Sequence, residues 1–143
     1  MPILTLKVSA TPSVELSEAL ASGLVEITAR VLHKNPQITA VTVDYTPPEH
    51  WIVGGKSLAQ HGKASFWLDI KVVDGTNTKD EKAQYLAEVF ALMRRVLGDL
   101  HEESYALVHE VKADAYGFGG LTQEYRYVSS KLQSREPAAC REA

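Results

Sequence analysis

The first residues, MPILTLKV, place Pro2 at the head of a segment with strand-like alternation. Once Met1 is removed, the Pro2 nitrogen is a free secondary amine. An α-amine has an unperturbed pKa of about 7.7–8.0, and burial among apolar groups lowers it. Apolar neighbours such as Ile3, Trp51 or Tyr116 can supply that burial. An amine fixed at a strand start can take a proton from carbon beside a carbonyl and return it elsewhere, which is enol–keto tautomerisation. With Met1 attached, the nitrogen is a tertiary amide without a basic lone pair. Pro2 is then only a strand-initial proline, a position that sheets tolerate.

Two further side chains suit the same chemistry. Lys34 can hold a substrate carboxylate by charge, or simply complement the C-terminal end of a helix. Tyr105 can donate a hydrogen bond to an enolate oxygen, or pack as an aromatic side chain at a strand start. The remaining candidates are weaker. His33, His50, His61, His101 and His109 show no H-x-H or H-x-x-x-H spacing, so no metal site is expected. Arg30, Arg94 and Arg95 fall on predicted helices and read as a solvated face. Gly54-Gly55 and Gly119-Gly120 read as hairpin glycines rather than a phosphate loop. No cofactor motif is present and none is expected.

The elements that must position these residues come from an internal repeat. LTLKV (4–8) recurs as LDIKV (68–72) at an offset of 64. One added residue near Asn77 makes the offset 65, which pairs Ser13 with Thr78, Leu20 with Tyr85, Ile27 with Leu92 and Val43 with Val108. The same offset sets Trp51 on Tyr116 and Gly54-Gly55 on Gly119-Gly120. Each unit, 2–60 and 66–127, reads strand, helix, strand. In the first strand Pro2, Leu4, Leu6 and Val8 share one face; in its repeat Phe66, Leu68, Ile70 and Val72 do. The first helix is expected to start near Thr11-Pro12-Ser13, with a hydroxyl cap and an N1 proline. Its apolar stripe is Leu16, Leu20, Leu24, Ile27 and Val31. The second starts at Thr78 with Glu81 completing a capping box, runs through Leu86, Val89, Phe90, Met93, Val96 and Leu97, and stops at Gly98. The fold class is therefore α/β (α+β): two tandem β-α-β units forming a four-stranded sheet with both helices on one face. The bare face, with Ile3, Trp67 and Val73, predicts self-association. One domain over 1–130 and a polar tail over 131–143 are expected.

Composition agrees with a globular protein: 143 residues, 45% hydrophobic and 23% charged. A net charge of −3 without a basic patch argues against a nucleic-acid partner. No apolar run nears the roughly 20 residues of a membrane span, and no signal-peptide pattern opens the chain. The lone cysteine, Cys140, sits in the polar tail and reads as an exposed thiol. A cytoplasmic protein is expected.

With Pro2, the duplicated unit, HKNPQITAVTVDY, HWIVGG and AYGFGG in view, the chain resembles the tautomerase superfamily from Pro2 to about Tyr127. That superfamily includes 4-oxalocrotonate tautomerase, macrophage migration inhibitory factor and cis-3-chloroacrylic acid dehalogenase. The resemblance implies a homotrimer with active sites around each N-terminal proline, near subunit boundaries. It implies Pro2 as the catalytic base, Lys34 as the active-site lysine of the inhibitory-factor branch, and Tyr105 as a tyrosine lent by a neighbouring subunit. Trp51 and Tyr116 take the two places of a pocket phenylalanine. The family's substrate-binding arginines have no counterpart: their positions hold Pro12 and Thr76, Ala40 and Tyr105, and Val73 and Thr76. The expected function is a tautomerase-like isomerase acting on a small enolisable keto or enol acid. A hydratase, decarboxylase or dehalogenase of the same superfamily, and a non-catalytic trimeric binding protein, stay open.

Overall fold

The period-two pattern of the opening strand is realised in a computed structural model that describes residues 2–135. In β1 (Ile3–Val8), Leu4, Leu6 and Val8 are fully buried, while Thr5 and Lys7 face solvent. Pro2 continues the buried face one step upstream. In β5 (Phe66–Val73), Phe66, Leu68, Ile70 and Val72 repeat the arrangement.

Between them lie α1 (Val14–Leu32), β2 (Ala40–Tyr45), a hairpin of β3 (Ile52–Val53) and β4 (Lys56–Ser57), and the one-turn α2 (Leu58–His61). After β5 come α3 (Lys79–Leu97), β6 (Tyr105–Val111), a second hairpin of β7 (Gly117–Phe118) and β8 (Leu121–Thr122), and α4 (Gln123–Arg135). Both hairpins turn on their Gly-Gly pair, and all four glycines have positive φ, between 59° and 82°. A side chain there would be strained, which accounts for glycine at both places. Helix α4 runs past position 130, and its residues 131–135 are exposed.

The helix starts follow the sequence with one correction. Ser13 caps α1 by accepting from Leu16 N–H at 3.2 Å, so Val14 is the first helical residue. Pro12 therefore lies ahead of the cap, not at N1. Thr78 and Glu81 form the expected capping box of α3. The α3 stripe is also shifted: Tyr85, Val89, Leu92 and Met93 are buried, whereas Leu86 is 39% exposed. The two helices pack closely at Gly23, where a β-carbon would come within 2.8 Å of Leu92 Cδ1.

The sheet order is β2-β1-β5-β6, with parallel outer pairs and an antiparallel central pair. Both helices cover the face carrying Leu4 and Leu68, and their buried stripes meet it in one core. In the central register Ile3 faces Lys71 and Val8 faces Phe66, so the start of β1 lies beside the end of β5. The repeat thus becomes an approximate twofold axis, and the sheet has two comparable ends. On the uncovered face Trp67, Tyr105 and Leu107 are exposed in the single chain.

The helices are also joined by a polar contact in the core. Tyr85 is fully buried, and its hydroxyl meets Thr28 Oγ1 at 2.8 Å, while Thr28 Oγ1 donates to the Leu24 carbonyl. Burial pushes the Tyr85 phenol up to about 12, so it is neutral at physiological pH. Tyr85→Phe removes this contact and leaves Thr28 its backbone bond, so a loss of about 1 kcal/mol is expected. Urea unfolding of the two proteins measures it; equal midpoints would show that the hydroxyl contributes nothing.

Candidate active site

A short polar chain leads to the end of the sheet where β1 begins. The Pro2 carbonyl accepts from Ala40 N–H at 3.3 Å, which extends the β1–β2 ladder to position 2 and fixes the proline. Pro2 itself is buried. Tyr116 reaches the same end from the second unit: its phenol bonds the backbone of Ile3, the residue next to Pro2. Burial raises the Tyr116 phenol and that backbone bond opposes it, so the hydroxyl keeps its proton. Tyr116 is held from behind by Gln123 N–H, which donates to its carbonyl at 2.8 Å. An open hollow of about 360 Å³ lies beside it, lined by Asp114, Ala115, Tyr116 and Thr122.

Lys34 lies at this end too, just beyond α1. Its Nζ donates to Thr76 Oγ1 at 2.9 Å, and Thr76 Oγ1 in turn donates to the Val73 carbonyl at 2.7 Å. The ammonium has no carboxylate partner within bonding distance among the described residues. Half-burial lowers its pKa, and the charge of Glu81 acts against that shift. A partly dehydrated cation without an ion-pair partner can bind an anion.

The other two predicted site residues lie at the opposite end. Trp51 and Tyr105 line a hollow of about 420 Å³ together with Ile52, Val53 and Glu103. Tyr105 donates to the Glu103 carboxylate, and this bond raises its pKa. The Tyr105 ring meets Trp67 edge-on at 5.9 Å. Trp51 therefore does not desolvate Pro2 within one chain, contrary to the sequence expectation. The twofold axis puts it at the Phe66 end of the sheet, and Phe66 is the counterpart of Pro2 at an offset of 64. That end has no chain-terminal amine to offer.

Thr76 entered the sequence analysis only as a missing arginine, yet it carries the lysine. No local motif marks that role. His33 passed as one of five unremarkable histidines, although the repeat sets it on Gly98, which was a usable signal. Among the described residues no three His, Cys, Asp or Glu side chains cluster as metal ligands, and no helix is long and apolar enough to cross a membrane. Met1 and Cys140 lie outside the described residues.

Comparison with known proteins agrees with the fold. Residues 67–125 match a family model described as tautomerase enzyme. A fused 4-OT solved as an asymmetric trimer superposes with a TM-score of 0.75 at 16% identity, covering 87% of this chain and 98% of that one. The macrophage migration inhibitory factor-like protein of Entamoeba histolytica gives 0.70 at 21% identity, with 85% and 97% covered. A crystal structure of Pt0534 inactivated by 2-oxo-3-pentynoate gives 0.75 at 12% identity, with 87% and 98% covered. No curated protein sequence matches the chain.

The Lys34 environment has a measurable consequence. A lysine whose folded pKa lies below its unfolded value of about 10.4 is held charged at a cost below the folded pKa. That cost vanishes as pH rises from the folded value to the unfolded one, so stability rises across this window. Side-chain NMR titration is expected to give Lys34 a midpoint below those of the surface lysines. A midpoint coincident with theirs would contradict the dehydrated site.

Proposed function

We propose, from the chain's membership by fold of the tautomerase superfamily, that it is an isomerase moving a proton on a small 2-keto or enol acid. The reading rests on one observation: Pro2 is buried at a fixed strand start, with the Tyr116 phenol on the adjacent peptide and the Lys34 ammonium at the same end of the sheet. After loss of Met1, the Pro2 nitrogen acts as general base. Burial of the amine disfavours its protonated form, which supports the role of a base.

Lys34 takes the substrate carboxylate, in place of the absent arginines. It is a point charge rather than a bidentate fork, so it anchors without strongly fixing orientation. Tyr116 closes the pocket with its ring and donates to the carbonyl oxygen as negative charge develops there. Tyr105 and Trp51 lie too far along the sheet to serve their own chain's Pro2. In a homotrimer built through the uncovered sheet face they serve a neighbour's site, with Tyr105 donating to the enolate. The trimeric fused 4-OT supports such an assembly, and the inactivation of Pt0534 by a 2-oxo acid supports the substrate class. The protein acts in the cytoplasm on this reading.

The same surroundings count against the hydratase and dehalogenase readings, in which Pro2 must stay protonated as an acid. The dehalogenase's arginine positions also hold Val73 and Thr76. In the test, Met1 loss is first confirmed by mass spectrometry. Pro2→Ala is then compared with wild type on phenylpyruvate enol and 2-hydroxymuconate. A fall of about 10²–10⁴ in kcat/KM is expected for loss of a general base. Equal rates, or a retained methionine on protein from its native host, would leave the binding-protein reading in its place.

A further inference from the structure

One residue at the Pro2 end holds a conformation that its type disfavours. His33 ends α1 with φ 58° and ψ 38°, and it is the only described non-glycine residue with positive φ. A β-carbon makes this left-handed region unfavourable, and helices usually place glycine there. The second unit places a glycine, Gly98, at the matching position, with positive φ (91°) but ψ −136°, outside the left-handed helical region. The first unit keeps a histidine, so its side chain has a use that offsets the strain.

That side chain completes a three-point staple between the units. The Leu32 carbonyl accepts from Asn77 Nδ2 at 3.0 Å. His33 Nε2 meets Glu81 Oε2 at 2.8 Å. Lys34 Nζ donates to Thr76 Oγ1 at 2.9 Å. Three consecutive residues of the first unit thus each grip the loop and first turn that lead into α3. The receiving groups are themselves fixed: Glu81 Oε1 accepts from Thr78 N–H in the capping box, at 2.7 Å. The main chain of the staple is anchored as well, because both His33 and Lys34 direct their N–H groups at the Thr28 carbonyl. The opposite end has no counterpart: among the described residues, Leu97, Gly98 and Asp99 make no such bonds to residues 11–16.

We propose that His33 is a positioning residue, which trades an unfavourable backbone conformation for a fixed Lys34. The contact with Glu81 sets the direction in which the chain leaves α1, and so holds the Lys34 ammonium on Thr76 at the Pro2 end. This rests on the reading of Lys34 as the carboxylate anchor, but the placement itself is measurable without turnover. The staple lets a single flexible lysine stand in for a rigid guanidinium, because the protein orders its stem before the substrate arrives.

The experiment compares wild type, His33→Gly and Glu81→Gln by thermal unfolding, NMR order parameters of the Lys34 Cε methylene, and steady-state kinetics on phenylpyruvate enol. Glycine suits the left-handed cap, so His33→Gly is expected to keep or raise Tm. Lys34 is nonetheless expected to become mobile, and KM to rise roughly three- to tenfold with kcat unchanged, as for loss of uniform binding. Glu81→Gln, which preserves the cap hydrogen bond, is expected to shift Lys34 order and KM in the same direction. If His33→Gly lowers Tm while Lys34 order and KM stay at wild-type values, His33 is a structural cap and the proposal is overturned. If wild type shows no turnover but Lys34 still loosens in His33→Gly, the placement stands and the catalytic reading alone has failed.

Discussion

The antiparallel pairing of β1 with β5 is the constraint on which the rest of the molecule depends. A tandem repeat could pair its units in other ways, but this register sets Ile3 against Lys71 and Val8 against Phe66. It brings the beginning of the first unit to the far end of the second unit's leading strand. The loop after β5 and the hairpin after β6 then converge on Pro2. The second unit's contacts at this end come from that crossing: Thr76 for Lys34, Tyr116 for the Ile3 peptide. Parallel docking of the two units would instead carry the loop after β5 and the hairpin after β6 to the opposite end, away from Pro2 and Lys34.

The twofold arrangement also exposes how far the halves have diverged. Backbone features are kept, including both Gly-Gly turns, both nineteen-residue helices and the bond from the start of the helix after each hairpin back to Trp51 and Tyr116. Side chains with chemical potential are not. Pro2 answers to Phe66, His33 to Gly98 and Lys34 to Asp99. One end carries the buried Pro2, a cation and a phenol. The other carries aromatic rings and a carboxylate that binds Tyr105. Packing constrains the shared scaffold through both units equally, whereas these polar side chains differ from one end to the other.

Much of this was legible in the residue order because the relevant forces are periodic. Alternation in β1 and β5 follows from one buried face, and the capping box at Thr78 follows from unpaired helix amides; both are local. Pro2 was legible because its position in the chain, not its surroundings, makes it an amine. The division of the five site residues between two ends was not legible. It depends on strand register, which no single segment encodes. Trp51 illustrates this: its equivalence to Tyr116 is plain in the repeat, yet only the twofold axis decides that it lies at the Tyr105 end. Leu86 and Pro12 were misplaced for a simpler reason, since one residue of phase moves a side chain about 100° around a helix.

The close contact at Gly23 gives α1 a pivot. From there to Leu32 the helix extends nine residues, about 14 Å at 1.5 Å per residue. Any side chain at position 23 must displace Leu92 or part the helices, and a slight tilt at that fulcrum is magnified at the tip of the lever, where Lys34 hangs. The spacing of two apolar surfaces deep in the core therefore sets the aim of a polar group well outside it, so drift in the interior can redirect the Lys34 ammonium without touching any residue that meets it.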